Sequence, residues 1–220
     1  DVLEAAGVSL DLNPEQVAEC VDKVGIGFMF APMHHNAMRY AIGPRREMSL
    51  RTIFNILGPM TNPAGVQRLL VGVYEARLCR PVAEVLDRLG AEHVMVVHSD
   101  DGLDEISIAA PTHVVEAKAG AVQEYDLLPE DLGLESTSLD GLEVPGALES
   151  LDLIREALSG APGDRADRAR QVIALNAGAA LYVAGLQSGV AGGVAEAMRL
   201  MQSGTPWARM EALADLTSGM

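Results

Sequence analysis

The spacing of apolar residues predicts a chain of alternating helices and strands. The first helix is signalled by Asn13, Pro14 and Gln16, which together form the start of a capping box. An apolar face follows, made of Val17, Cys20, Val21 and Val24. Gly25 is the residue type that ends helices, so this helix is predicted to stop there.

The middle of the chain predicts a strand–helix–strand unit. Two near-continuous apolar runs, at 69–74 and 93–98, are typical of strands covered on both faces. Between them lies a helical stripe that ends at Gly90 and consists of Leu78, Val82, Val85 and Leu89. This order implies parallel strands and a right-handed crossover. Shorter strands are predicted at 106–109 and 113–117.

The remaining segments complete a single α/β domain over residues 1–220. Residues 127–163 are acidic and rich in Leu, Gly, Ser and Pro, which predicts surface loop with one short helix. The last third is helical, with a final helix beginning at Thr205 and Pro206. Its apolar stripes are Val172, Leu175, Ala179 and Tyr182, then Val194, Met198 and Met201. We therefore expect a mostly parallel central sheet flanked by helices.

Composition narrows the functional classes. The 220 residues include 16 basic and 31 acidic side chains, a net charge of -15, which argues against nucleic-acid binding. A small anionic substrate stays possible, because it needs only a local cluster of cations. Cys20 and Cys79 lie in helical patterns and are expected to be buried free thiols. No apolar run reaches the roughly 18 residues that span a bilayer, and no leader pattern is present, so we expect a cytoplasmic protein without membrane association.

A basic segment is the first candidate for chemistry. Four of the sixteen basic residues fall within thirteen positions, namely Arg39, Arg45, Arg46 and Arg51, just after His34 and His35. These arginines could pair with the excess carboxylates along a helix, or they could form an anion pocket in which a guanidinium grips a carboxylate through two hydrogen bonds. No HExxH pattern accompanies the histidines, which argues against a zinc hydrolase.

Two further segments are predicted to be loops, and the first of them could be no more than a connector. Residues 55–64 contain Gly-Pro and Asn-Pro pairs, which indicate a shaped turn before the first strand. Residues 100–105 place several carboxylates directly after a buried strand, where ligands bind in parallel sheets. They could be a solvated acidic turn or a Mg²⁺ site, since Mg²⁺ takes one or two carboxylates and completes its shell with water and phosphates. The twelfth position from Asp100 is Pro111, which excludes an EF-hand.

In this order, the segments resemble the anthranilate phosphoribosyltransferase family over essentially the whole chain. The run from 45 to 64 is the most specific part of the match. The matching runs are 1–5, 27–32, 35 with 37–39, 45–47, 51–59 with 61–64, 71–74, 98–99 with 101–105, and 176–181. The resemblance implies the catalytic fold of nucleoside phosphorylases and phosphoribosyltransferases, with anthranilate and phosphoribosyl pyrophosphate as substrates.

The same resemblance implies roles for particular residues. Arg45 would hold the anthranilate carboxylate, and Asp104 and Glu105 would bind the Mg²⁺ that neutralises the pyrophosphate. The rest of the anthranilate pocket would be lined by Pro32, His35 and Met38. No catalytic residue is predicted, because an aromatic amine is already neutral at pH 7.

The family's glycine-rich Gly-Thr-Gly-Gly-Asp loop and its N-terminal helices do not occur in these residues. We therefore expect a C-terminal catalytic portion that is inactive alone and belongs to a homodimeric full-length protein. Two rivals stay open. A related enzyme could act on another base, although the 45–55 run argues against it, and a scaffold fragment without activity is favoured by the missing phosphate loop.

Overall fold

The computed structural model describes residues 1–34 and 54–220. At its centre is a four-stranded sheet in the order β1-β2-β3-β4. The strands are β1 (Arg68–Gly72), β2 (His93–Ser99), β3 (Thr112–Lys118) and β4 (Ala121–Leu127). The helices of the described residues are α1 (Val2–Ala5), α2 (Pro14–Val24), α3 (Ala31–His34), α4 (Phe54–Met60), α5 (Cys79–Arg88), α6 (Ala147–Leu158), α7 (Asp164–Val183), α8 (Val190–Gln202) and α9 (Thr205–Ser218).

The α/β class is confirmed, but the described sheet is mixed rather than mostly parallel. β1 and β2 are parallel and joined through α5, as the strand–helix–strand pattern predicted. β3 and β4 run antiparallel to their neighbours. The reason lies in the connections, because no helix lies between β2 and β3 to carry a parallel crossover. β3 and β4 are joined only by Ala119 and Gly120, both at positive φ, which suits a tight hairpin.

Helices cover both faces of the sheet, and β2 shows why. Its alternate side chains Val94 and Val96 pack into the cluster under α5. Met95 and Val97 point to the opposite face and pack with residues of α7 and α8. All four are completely buried. The sheet is therefore held rigidly in the middle layer, and the loops at its ends are positioned by it.

The predicted first helix is confirmed in detail. The Asn13 side chain accepts from the Gln16 backbone N–H at 2.9 Å, and the Gln16 side chain accepts from the Asn13 N–H at 2.9 Å. Gly25 ends α2 in the left-handed region at φ 86°. Cys20 on this helix and Cys79 at the start of α5 are both buried free thiols, as expected. Burial raises the pKa of Cys79 to about 11.

The predictions for the other segments are confirmed in part. Residues 106–109 are largely buried loop rather than strand, and β4 was not predicted. The acidic stretch 127–163 is mostly loop with one α-helix, α6, of 12 residues, as predicted. The helical last third is confirmed. Within the described residues, none of the helices combines the length and apolar character needed to cross a membrane.

A buried polar cluster closes one end of the sheet, at the start of β2 and the end of β3. Glu116 accepts hydrogen bonds from Tyr125 and Tyr182, each at 2.8 Å, and from His93 Nε2 at 2.7 Å. Lys118 donates to the Tyr182 hydroxyl at 3.3 Å. Burial raises the pKa of the Glu116 carboxyl, but the three hydrogen bonds outweigh burial and leave that pKa below its ordinary value.

Candidate active site

The acidic pair Asp104 and Glu105 lies at the opposite end of the sheet. Both residues belong to the loop between β2 and β3, and both are exposed. This loop begins at the carboxyl end of β2, beside the carboxyl end of its parallel neighbour β1. The predicted position of the pair is therefore confirmed, and it is the position at which ligands of parallel strands bind.

Gly72, the last residue of β1, holds this loop against the sheet. A methyl group placed on Gly72 would lie 1.6 Å from the Asp104 carbonyl oxygen and 2.7 Å from the carbonyl carbon. No side chain fits there. Gly72 had no predicted role, although a glycine inside an apolar strand is a known sign of close backbone approach.

Hydrogen bonds inside the loop brace it further. The Ser99 N–H donates to the Leu103 carbonyl at 2.9 Å, which closes the turn at residues 99–103. Asp101 accepts from the Leu103 N–H at 3.2 Å and from the hydroxyl of Ser107. The Ser107 hydroxyl in turn accepts from the Ala109 N–H at 2.9 Å. Asp101 is thus committed to bracing the loop, while Asp104 and Glu105 present their carboxylates to solvent.

The electrostatics of the pair favour a bound cation. Although Glu105 is exposed, the loop removes part of the hydration of its carboxylate. This desolvation, and then the neighbouring Asp104 carboxylate, raise the pKa of Glu105 above its ordinary value. A divalent cation would relieve both effects, because it attracts both carboxylates and replaces lost hydration. No third His, Cys, Asp or Glu joins the pair to make a metal-holding group within residues 1–34 and 54–220. Two carboxylates with open remaining positions suit Mg²⁺ bound together with substrate phosphates.

The turn predicted at 55–64 is confirmed only from Thr61 onward, because residues 55–60 lie in the helix α4. α4 ends at Met60, and the Thr61 hydroxyl donates to the Leu57 carbonyl at 2.9 Å. The Asn62 side chain then accepts from the Ala64 N–H at 2.9 Å, an arrangement that Asn favours in turns.

A cleft of about 410 Å³ lies between this turn and β1. Its lining residues are Pro59, Asn62, Val66, Arg68, Leu69, Leu70, Val71 and Gly72. Because Gly72 also touches Asp104, the cleft reaches the end of β1 at which the acidic loop is held. The 55–64 turn and the acidic loop are thus connected through the short strand β1.

The predicted anthranilate-pocket residues are only partly described. Pro32 lies in the short helix α3, and its side chain is outside the described part of the chain. His35, Met38 and Arg45 lie outside the described residues. The structure therefore brings together the acidic pair, Gly72 and the cleft, and the assignments of these four residues stay predictions.

The fold is that of a glycosyltransferase α/β domain. Residues 1–207 match the family described as glycosyl transferase family, a/b domain, and the chain belongs to this family. The resemblance to anthranilate phosphoribosyltransferases is also confirmed. The enzyme of that name from Marinobacter nauticus is 59% identical over 217 residues, and that from Azotobacter vinelandii is 56% identical over 218. Each alignment covers 99% of this chain.

Solved structures agree with this family. Anthranilate phosphoribosyltransferase from Thermus thermophilus superposes with a TM-score of 0.87 at 38% identity, covering 98% of this chain and 63% of that one. The Saccharomyces cerevisiae enzyme, solved in complex with phosphoribosyl pyrophosphate and Mg, gives 0.87 at 24% identity, covers 100% of this chain and 62% of that one, and supports the fold alone. The chain spans 64% and 63% of the length of the Marinobacter and Azotobacter relatives.

Proposed function

We propose that the protein containing this chain transfers the phosphoribosyl group from phosphoribosyl pyrophosphate to the amine of anthranilate, as a step of tryptophan biosynthesis. Residues 1–220 would form its α/β catalytic domain. The observation that carries the proposal is the 59% identity over 217 residues to a relative of that name. The acidic pair at the carboxyl ends of β1 and β2 supports it, because the donor carries a pyrophosphate that a metal ion must neutralise.

The reaction exchanges one bond at C1 of the ribose for another. The bond from C1 to the pyrophosphate oxygen breaks, and its electron pair leaves with the pyrophosphate. The amine nitrogen forms the new bond to C1 and gives up one proton to solvent. Since the amine is neutral at pH 7, the protein's main contributions are to hold the reactants in line and to stabilise the leaving group.

In this proposal Asp104 and Glu105 hold Mg²⁺. When bound, Mg²⁺ would supply positive charge to the departing pyrophosphate. The carboxylates themselves do not react. They would keep the cation beside the carboxyl ends of β1 and β2, where Gly72 and the braced loop hold them. Their exposure leaves room for the donor's phosphate oxygens.

The acceptor would be held by the basic segment. Arg45 binds the anthranilate carboxylate through a two-pronged ion pair, and Pro32, His35 and Met38 line the ring. This assignment rests on the family motif rather than on described geometry. A homodimeric and cytoplasmic full-length protein stays a prediction from the same resemblance.

The acceptor site is tested by steady-state kinetics of the full-length protein, following the loss of anthranilate fluorescence with Mg²⁺ and donor. Arg45→Ala should raise the anthranilate KM by about tenfold to a hundredfold, the value of a hydrogen-bonded charge pair, and leave the donor KM unchanged. Arg77→Ala is the matched control, since it removes an exposed guanidinium from an ion pair on the surface. An equal rise in both constants would remove the role given to Arg45.

The metal site is tested separately by the Mg²⁺ concentration needed for half-maximal donor binding. Asp104→Asn and Glu105→Gln should each raise it by about tenfold or more. Asp100→Asn makes the same charge change in the same exposed loop and should leave it unaltered. Activity with another aromatic base and none with anthranilate would replace the proposed acceptor, and no activity with any base would favour the scaffold alternative.

A further inference from the structure

Asn176, in the middle of α7, forms a two-pronged hydrogen bond with the backbone of the acidic loop. Its Oδ1 accepts from the Ile106 N–H at 2.9 Å, and its Nδ2 donates to the Ile106 carbonyl at 3.0 Å. The same Nδ2 donates to the Val172 carbonyl, one turn earlier on the helix, at 3.0 Å. Both backbone polar groups of Ile106 are therefore bound by one side chain 70 residues away in sequence.

This contact adjoins the carboxylates. Ile106 follows Glu105 directly and is 1% exposed, so its side chain is anchored in the core below the loop. On the other side, the Asp104 carbonyl lies against Gly72. The segment that carries the two carboxylates thus contacts the sheet at Asp104 and helix α7 at Ile106. A shift of the backbone at either residue would break one of these two contacts.

The chemistry of the contact specifies the residue type. A primary amide presents a donor and an acceptor in a fixed plane, as a backbone N–H and C=O pair requires. A carboxylate of the same size only accepts, and glutamine places its amide one carbon further away. Asparagine is also a poor residue for a helix interior, because it competes for backbone hydrogen bonds. Its presence in the middle of α7 is therefore explained by the loop and not by the helix.

We propose that Asn176 is a positioning residue, which holds Asp104 and Glu105 in the arrangement that binds Mg²⁺ together with the donor's pyrophosphate. This inference rests on the proposed function. A displacement of about 1 Å at a metal-binding carboxylate is enough to reduce transfer strongly, because the charges must coincide with the leaving group. The residue itself contacts neither metal nor substrate.

The test compares Asn176→Ala and Asn176→Leu with a control of equal structural weight. Leucine fills the volume of asparagine without a donor or acceptor, so it separates packing from hydrogen bonding. The control is Thr217→Val, which removes a buried side-chain acceptor from the Ser9 N–H, at 3.1 Å, in the α2–α9 region. Thr217 is 1% exposed, and its hydroxyl also donates to the Ala214 carbonyl at 3.2 Å.

Two quantities are measured on the full-length protein, besides unfolding by urea. One is the equilibrium binding of phosphoribosyl pyrophosphate as a function of Mg²⁺, by calorimetry without anthranilate. The other is the exchange rate of the Ile106 and Ser107 amide hydrogens. Both Asn176 variants should weaken Mg²⁺-dependent donor binding by about tenfold to a hundredfold and speed exchange at these amides. Thr217→Val should lose similar stability and bind the donor as the wild type does.

The outcomes separate this inference from the function on which it rests. Asn176 variants that lose stability but bind the donor at wild-type Mg²⁺ concentrations would overturn the positioning role and leave the proposed function intact. If Asn176→Leu binds the donor as the wild type does, packing alone is enough to hold the loop, and the positioning role is overturned as well. A wild-type protein that binds no donor at any Mg²⁺ concentration would overturn both. If the alanine variant does not fold, the leucine variant decides.

Discussion

Replacing Gly72 by alanine is the sharpest test of how the acidic loop is held. The new methyl would lie 1.6 Å from the Asp104 carbonyl oxygen, whereas real contacts of this kind essentially never fall below 3.0 Å. The loop backbone must therefore retreat by about 1.4 Å or more from the end of β1. Gly72 is not in the left-handed region, so the conformation itself suits alanine and the whole effect is steric.

The size of the loss in stability depends on the contacts that the loop backbone breaks when it moves away from β1. Inserting a methyl group into a packed site typically costs about 1–3 kcal/mol, and more where backbone must move. Here the obstacle is backbone, and the neighbouring Ile106 is tied to Asn176, so the loop cannot swing away freely. We expect the free energy of unfolding to fall by about 2–3 kcal/mol. Donor binding should need at least about tenfold more Mg²⁺, because both carboxylates move with the backbone.

The assay combines urea unfolding with calorimetric donor binding at a series of Mg²⁺ concentrations. Gly189→Ala is the matched control: this residue precedes α8 in extended conformation, and nothing lies within 4 Å of the added methyl. It should change stability by less than about 1 kcal/mol and leave donor binding unaltered.

A double-mutant cycle sharpens the same prediction. Gly72→Ala should cost less in an Asn176→Ala background, because a loop released from the helix can retreat from the strand. If the losses in free energy of unfolding of the two single variants simply add in the double variant, the Gly72 and Asn176 contacts act on the loop independently. A Gly72→Ala protein with wild-type stability and Mg²⁺ dependence would refute the close approach and, with it, the account of how the carboxylates are held.

Two further predictions concern the core. Gly193→Ala should lower the free energy of unfolding by about 1–3 kcal/mol, because its methyl would lie 2.1 Å from the Gly178 carbonyl oxygen. The control is Gly192→Ala, whose methyl would meet only the flexible Gln187 side chain and which should stabilise α8 slightly. Equal effects of the two substitutions in urea unfolding would contradict the close packing of α7 and α8. Glu116→Gln should cost about 1.5–3 kcal/mol at pH 7. Because the folded pKa of Glu116 is lowered, its ionised form stabilises the protein above the ordinary value of about 4.3, and this stability is lost as pH falls through the folded pKa. The difference in free energy of unfolding between Glu116→Gln and the wild type should therefore become smaller below about pH 4. A difference that does not change with pH would contradict the stabilising role of the ionised Glu116.

Local signals in the sequence predicted those elements whose causes are local. The capping box of α2 requires only Asn13 and Gln16, three residues apart, and both hydrogen bonds form. Likewise, apolar runs and a helical stripe predicted the parallel β1–α5–β2 unit, because burial on both faces needs no partner of particular identity.

Predictions that depended on a tertiary partner were less accurate. The predicted stripe of α5 included Leu89, yet Leu89 is 64% exposed, while Cys79, Ala83 and Leu86 are buried. Which face of a short helix is buried depends on the sheet against which it packs. β4 was missed because most of its residues are polar and exposed, and it is a strand through its pairing with β3. The pattern at 106–109 resembles a strand because Ile106 and Ile108 are buried, but their burial anchors a loop.

The candidate site divides along the same line. The acidic segment 100–105 could be located from sequence, since carboxylates directly after a buried strand need only chain order to reach the ligand-binding end of the sheet. The choice of Asp104 and Glu105 within it came from the family resemblance. What holds them could not be located, because Gly72 and Asn176 act on the loop through space and have no side-chain chemistry of their own in the reaction. A glycine in a strand and an asparagine in a helix each violate local preference. Such violations are therefore a sequence signal in themselves: each indicates a backbone that must be approached closely or bound on both its polar groups, and here both indicate the same loop.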